Sequence, residues 1–327
     1  MGFGSDSLDE GDGRLMASTA NKIAFCFPGQ GSIEAGMGLD IAEAVPEAMD
    51  VYRRGSLASG LDLEYLCFRG SGDDLVDTAV QQPALVATSL AMLAAIRARG
   101  IEPDFVVGHS VGEFAAIAAA RSMTVEEALE LVRERGIAMA EAAAMHPGSM
   151  AAILGLEDEV VETLCRKILG VWPANYNCPG QIVVSGENDA VDECCERAQE
   201  EGARRAVKLK VSGAFHSPLV ARAADRLRPA IDRVRFQEPV SPFMSTVTAR
   251  VESAQRMGPL LVDQLTAPVR FTQAATELIR EGVRTFVEVG PGNVLSGLVK
   301  RIDRSVKAVS VNNLASLDKL HEALSEA

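Results

Sequence analysis

The sequence predicts an α/β protein with a largely parallel sheet, on three observations. Short apolar runs alternate with helix-length stretches. Two of these runs, at residues 23–27 and 105–108, end in the glycine-rich turns PGQGS and GHSVG. Between about residues 148 and 212 the texture changes to closely spaced strands and helices, the mark of an inserted smaller unit.

The elements follow in order. The strand IAFCF at 23–27 opens the fold, helices are expected near 39–51 and 83–99, and the strand FVVG at 105–108 leads through His109 and Ser110 into the small-residue helix EFAAIAAA. A helix begins at the capping pattern Thr124-Val-Glu-Glu127. The insert reads β-α-β-α-β from SMAAILGL to RAVKLKVS, with a further strand at 171–175 giving a ferredoxin-like α+β subdomain over 148–212. Helices, the strand TFVEVG, the turn GPGN and a closing helix return the chain to the larger domain, assigned to 21–147 and 213–327 and expected to be α/β-hydrolase-like.

The composition, 47% hydrophobic and 24% charged over 327 residues, is that of a globular protein. No apolar run reaches the ~18 residues of a membrane span. A net charge of -13 disfavours nucleic acid and anionic membranes. Six cysteines without CxxC spacing indicate neither a disulfide framework nor a zinc site, and fit a reducing, cytoplasmic compartment. Residues 1–20, with four acids and little apolar content, read as a disordered leader; Met16 is an alternative start, and residues 1–15 an alternative appended remnant.

GHSVG at 108–112, between an apolar strand and an alanine-rich helix, has the form of a nucleophile elbow with Ser110 at its tip. A serine needs a base to become nucleophilic. Of the four histidines, His109 would project elsewhere off the turn, His146 lies before a proline and His321 falls in the last helix. His216, in GAFHSP, is the remaining candidate, against the alternative of a capping or loop histidine. Arg135 falls on the apolar stripe of its helix, with Ala128, Val132 and Met139, opposite Glu127, Glu130, Arg133, Glu134 and Glu141. A guanidinium facing the core requires an anion, either a substrate carboxylate or an internal Asp or Glu. Gln30 in PGQGS sits where α/β sites form, at the carboxyl edge of the sheet. PGQGS lacks both the GxxxxGK[ST] and the full GxGxxG patterns, so nucleotide binding is a weak reading.

Taken in order, FPGQGS (27–32), QQPAL (81–85), GHSVGE (108–113), Arg135, NYNCPGQIVVSG (175–186), GAFHSP (213–218) and VGPGN (289–293) resemble one family, malonyl-CoA:acyl carrier protein transacylase. The resemblance implies that Ser110 is the nucleophile, His216 the base, Gln30 and the backbone N–H of Val111 the oxyanion donors, and Arg135 the clamp on the malonyl carboxylate. It implies a backbone carbonyl, at Gln264, in place of a triad acid, and places Gln82 and Asn177 near the pocket. Phe215 is similar to the AFH signature that leaves little room beside a malonyl group. Ile33, where glutamine commonly follows FPGQGS, is the one departure.

The function so implied is transfer of malonyl from coenzyme A to the phosphopantetheine thiol of an acyl carrier protein, for fatty acid synthesis, by a monomer with no metal or bound cofactor. Two rivals are a serine hydrolase, permitted by the elbow alone, and a non-catalytic carrier-docking module. A basic docking surface for an acidic carrier is expected among Arg204, Arg205, Lys208, Lys210, Lys300 and Arg301, which ordinary solvated charges would also explain.

Overall fold

The computed structural model describes residues 21–325, so the leader read at residues 1–20 lies outside the described residues. Eleven described strands form two sheets: β1 (Lys22–Phe27), β2 (Phe105–Gly108), β3 (Ser149–Leu154), β4 (Val171–Cys178), β5 (Gln181–Gly186), β6 (Arg205–Lys208), β7 (Phe243–Ser245), β8 (Arg250–Glu252), β9 (Val269–Arg270), β10 (Val283–Val289) and β11 (Lys307–Val311).

The larger sheet has the order β11-β10-β1-β2-β7-β8, parallel throughout except for β8 at one edge. Side chains alternate across β1: Phe25 and Phe27 enter one core, Ala24 and Cys26 the other. With both faces covered, the strand reads as a continuous apolar run rather than an alternating one. β1 and β2 are neighbours in register, Phe27 opposite Gly108, so the PGQGS and GHSVG turns leave the sheet side by side at its carboxyl edge.

The second sheet has the order β6-β3-β5-β4-β9. Residues 149–208 fold as β-α-β-β-α-β, with helices Asp158–Lys167 and Asn188–Glu200. Ala151, Ile153, Ile182 and Val184 pack with these helices on one face, while Met150 and Val183 join the core of the larger unit on the other. β9, contributed from outside the insert, pairs in parallel with β4.

Several expectations need correction. The strand expected at 171–175 runs on to Cys178 and turns back through Pro179-Gly180, with Gly180 at φ 71°, directly into β5. The single helix expected at 39–51 is two, Leu39–Ala44 and Pro46–Ser59: Val45 is extended (φ -126°), as the residue before a proline favours. β7, β8, β9 and β11 are not among the strands expected from the sequence, being short strands at or near the sheet edges. One helix, Thr78–Ala98, is long and apolar enough to cross a membrane by length and composition, contrary to the reading that no such run exists, but 83% of its apolar window is buried inside the protein.

That helix also starts five residues before Pro83, where it was expected to begin, capped by the Asp77 carboxylate on the Ala79 N–H. A proline inside a helix leaves the carbonyl four residues back without its donor. Here that carbonyl is Ala79 O, and Arg133 Nη1 donates to it at 2.6 Å. Arg133→Met is therefore expected to lower unfolding stability by about 1–3 kcal/mol, the cost of an orphaned buried acceptor. Pro83→Ala, which restores the backbone donor, is expected to recover part of that loss in the double variant, as measured by chemical denaturation.

Candidate active site

The turn after β2 is set by its glycines. A Cβ on Gly108 would lie 2.2 Å from Glu113 N, and one on Gly112 would lie 2.2 Å from Phe27 O. Only hydrogen fits at either place, so the chain reverses sharply into helix Gly112–Ala119 and lifts Ser110 onto the turn. Ser110 is held at φ 52°, a left-handed conformation that costs a non-glycine residue about 1–2 kcal/mol. His216, on the loop before helix Ala221–Ile231, is likewise at φ 58°, and its N–H donates to Leu265 O at 3.2 Å.

These two left-handed residues meet. Ser110 Oγ lies 2.7 Å from His216 Nε2. On the other side of the ring, Nδ1 lies 2.8 Å from Gln264 O and 3.2 Å from Ala267 O. Carbonyls only accept, so Nδ1 carries the hydrogen and Nε2 is left free to accept from the serine. Burial, then the nearby Arg135 cation and His109, push the His216 pKa down to about 3, so the imidazole is neutral at physiological pH. Gln264 thus stands where the resemblance placed it, and the second carbonyl, of Ala267, is one that sequence reasoning missed.

Arg135 is 1% exposed and its Nη2 donates to Ser110 Oγ at 3.1 Å and to Gln264 Oε1 at 2.9 Å, while Nη1 donates to Gln82 Oε1 at 2.6 Å. Phe114 lies beneath the guanidinium, 5.8 Å from ring centroid to Cζ. Its Nε has no hydrogen-bond partner among the described residues, and no carboxylate there forms an ion pair with it. Burial lowers its pKa to about 9 even though the charge of Glu113 opposes the shift. Of the internal Asp or Glu envisaged from the sequence, none among the described residues touches it: the acceptors are neutral, and Glu113 is reached only through Gln264, whose Nε2 donates to Glu113 Oε2.

Glu113, the last residue of GHSVGE, is fully buried, and the sequence alone assigns it no role. The available signal was a single acid in an otherwise apolar helix, GEFAAIAA. Its Oε1 accepts from the Thr246 N–H at 2.6 Å and lies 2.9 Å from the Thr246 hydroxyl and 3.3 Å from the Ser245 hydroxyl. Burial raises its pKa to about 7 against the pull of these donors.

The remaining expected residues divide. Gln82 lies in the centre, its Nε2 donating to Thr78 Oγ1 at 2.9 Å. The Gln30 carboxamide also donates to Thr78 Oγ1, at 2.9 Å, and to Gln81 Oε1 at 2.6 Å, so its nitrogen is engaged there and the group Gln30 can offer a reacting oxygen is its backbone N–H. Val111 is the residue before helix Gly112–Ala119, where N–H groups lack intrahelical acceptors. Asn177, on β4, accepts through Oδ1 from His109 Nε2 at 2.9 Å, so its amide steadies the elbow from the second sheet. Phe215 is 3% exposed and packs in the main core. Among the expected docking cations, Lys208 pairs with Asp192 and Arg301 donates to Gln181 Oε1. The described residues contain no cluster of three His, Cys, Asp or Glu side chains placed to hold a metal.

The sequence matches the family described as an acyl transferase domain over residues 24–325. It is 41% identical over 311 residues to the malonyl CoA-acyl carrier protein transacylase of Bacillus subtilis (strain 168), covering 94% of this chain and 98% of that one. The solved acyl-carrier-protein-S-malonyltransferase from Bartonella henselae is 38% identical and superposes with a TM-score of 0.89 over 93% of this chain and 99% of that one. A malonyl-transacylase solved in complex with its type II PKS acyl-carrier protein is 36% identical, with a TM-score of 0.89 over 94% of this chain and all of that one (100%). This likeness along nearly the whole chain, in which Ser110, a neutral His216 and the buried Arg135 guanidinium are in contact, settles the family: the chain is an acyl transferase and belongs to the malonyl CoA-acyl carrier protein transacylases.

Proposed function

We propose that this enzyme moves a malonyl group from malonyl-CoA to the phosphopantetheine thiol of an acyl carrier protein through a malonyl ester on Ser110. The observation that carries the reading is Arg135: a buried cation 3.1 Å from the nucleophilic oxygen, held among the described residues only by neutral acceptors and with its Nε–H unpartnered there. A cation so close to Ser110 suits an acyl group whose carboxylate is separated from its thioester carbonyl by a single methylene. It serves no purpose for an apolar acyl chain.

In the first half-reaction His216 Nε2 takes the proton of Ser110 as Oγ attacks the thioester carbonyl. The oxyanion is held by the backbone N–H groups of Val111 and Gln30, and losing one such donor costs roughly 10²- to 10³-fold in turnover. Collapse breaks the C–S bond, His216 returns its proton to the coenzyme A thiolate, and the malonyl-serine ester remains. In the second half the carrier thiol gives its proton to His216 and attacks the ester; collapse releases Ser110, which recovers the proton. The imidazolium formed at each stage keeps its Nδ1–H on the Gln264 and Ala267 carbonyls. No cofactor enters either half.

The product would feed fatty acid elongation. The enzyme is read as a monomer, and six free thiols support a cytoplasmic setting. The 4-1-3-2 strand order of β6-β3-β5-β4 supports a ferredoxin-like subdomain over 148–212, inserted in an α/β-hydrolase-like domain at 21–147 and 213–327. A hydrolase is disfavoured because the His216 ring is oriented by carbonyls rather than by an acid, and because Arg135 sits at the nucleophile.

Two measurements test the reading. Intact mass spectrometry after brief incubation with malonyl-CoA is expected to give a malonyl adduct on the wild type and none on Ser110→Ala. In Arg135→Ala the malonyl adduct is expected to fall well below that from acetyl-CoA; a malonyl adduct that persists in Ser110→Ala overturns the mechanism.

The second measurement concerns the neutral base. An unfolded histidine takes up its proton near 6.5, whereas His216 in the fold resists protonation down to about 3, so its contribution to stability is complete above pH 6.5 and is lost as pH falls towards 3. Glu113 acts in the opposite sense, favouring the fold below about 4.5 and less so as pH rises to about 7. Comparing wild type with His216→Asn at each pH cancels that second effect. The difference in unfolding free energy is expected to shift in favour of the variant as pH falls from 6.5, and a difference independent of pH would show that His216 is not buried in its neutral form.

A further inference from the structure

Nothing in the transfer steps uses Glu113, yet it is fully buried beside the nucleophile and in contact with a residue that touches both Arg135 and His216. The hydrogen-bond directions around it are fixed by elimination. A guanidinium can only donate, so the oxygen of the Gln264 carboxamide faces Arg135 Nη2 at 2.9 Å and the nitrogen faces away. That nitrogen meets Glu113 Oε2, and the Thr246 N–H, another group that can only donate, meets Glu113 Oε1 at 2.6 Å. A group facing a committed donor on each oxygen is an acceptor on both sides, which is the hydrogen-bonding pattern of a carboxylate.

We infer that Glu113 is a positioning residue for acyl transfer: its carboxylate fixes the direction of the Gln264 carboxamide, and through that one residue sets both the acceptor that holds Arg135 and the carbonyl that aims His216. The inference rests on the malonyl-transfer reading above and deepens it. Gln264 is suited to the task because its two ends do different work, the side chain accepting from Arg135 while the backbone oxygen accepts from His216 Nδ1 at 2.8 Å. The arrangement also settles a conflict at Arg135. A carboxylate in direct contact would compete with that of the substrate, and no counter-charge at all would leave a buried cation uncompensated. One amide interposed between the charges supplies the field and leaves the cation open to an incoming anion.

The test is a swap. Glu113→Gln keeps the shape but presents an NH₂ to the NH₂ of Gln264; whichever amide turns, a donor then faces a donor at Gln264, Thr246 or Arg135. With the thermal midpoint measured to establish folding, kcat/KM for malonyl-CoA is expected to fall about 10- to 100-fold, the range for a hydrogen bond to a charged group. The double variant Glu113→Gln/Gln264→Glu exchanges amide and carboxylate and restores each donor–acceptor pair, but it places a carboxylate directly on Arg135. Its kcat is expected to recover most of what the single variant lost, while its KM for malonyl-CoA rises about tenfold or more. A merely structural role would not divide kcat from KM in this way.

A folded Glu113→Gln enzyme with wild-type kcat and KM overturns the inference. So does a double variant whose kcat is no better than that of Glu113→Gln, whether folded or not. If Glu113→Gln does not fold, the double variant decides alone. Failure of the transfer reading itself is distinguishable, since it appears as a wild type that acquires no malonyl adduct.

Discussion

A guanidinium with 1% exposure must be surrounded by acceptors, and much of the architecture around Ser110 answers that requirement. The acceptors come from three separate stretches of chain. Gln82 arrives on helix Thr78–Ala98, Ser110 on the elbow and Gln264 at the end of helix Ala254–Asp263, while Glu113, on the helix that follows the elbow, supplies the charge behind Gln264. Each is fixed by a further contact of its own: Gln82 by Thr78, Glu113 by Thr246, Gln264 by the His216 ring. His216 and Arg135 therefore share one hydrogen-bonded unit. A change at any member is felt by the others, and their contributions will not add independently.

Ser110 and His216 are both held in left-handed backbone conformations, at φ 52° and 58°. Neither residue is glycine, so each position stores strain that the surroundings must overcome. At Ser110 the means are visible: Gly108 and Gly112 allow the turn to close against Phe27, and an apolar helix follows at once. At His216 the backbone N–H bonds to Leu265 and the ring nitrogen to Gln264, so loop and ring are tied to the same short segment.

The sequence made the chemistry more legible than the boundaries. GHSVG is a local motif whose strand, turn and helix all lie between Phe105 and Ala119, so the elbow could be read directly. Arg135 betrayed itself by its place on an apolar stripe. Glu113 gave the same kind of signal and went unread, since its purpose depends on Gln264, 151 residues away, and no periodicity links the two. The start of helix Thr78–Ala98 was misplaced for a similar reason. Pro83 is a local reason to begin the helix later, and the compensating donor, Arg133, lies 54 residues from the Ala79 carbonyl it serves. The full extent of β4 likewise depends on its pairing with β5 and β9 more than on its own residues.

The parallel pairing of β9 with β4 carries a mechanical consequence. Val269, paired with Asn175 of the insert, follows the Gln264 and Ala267 carbonyls by a few residues, and the insert also reaches the elbow through Asn177 and His109. The smaller sheet therefore grips the serine from one side and the segment behind the histidine from the other. An outward swing of that sheet as a rigid flap would drag on both grips at once and disturb the 2.7 Å contact between Ser110 Oγ and His216 Nε2.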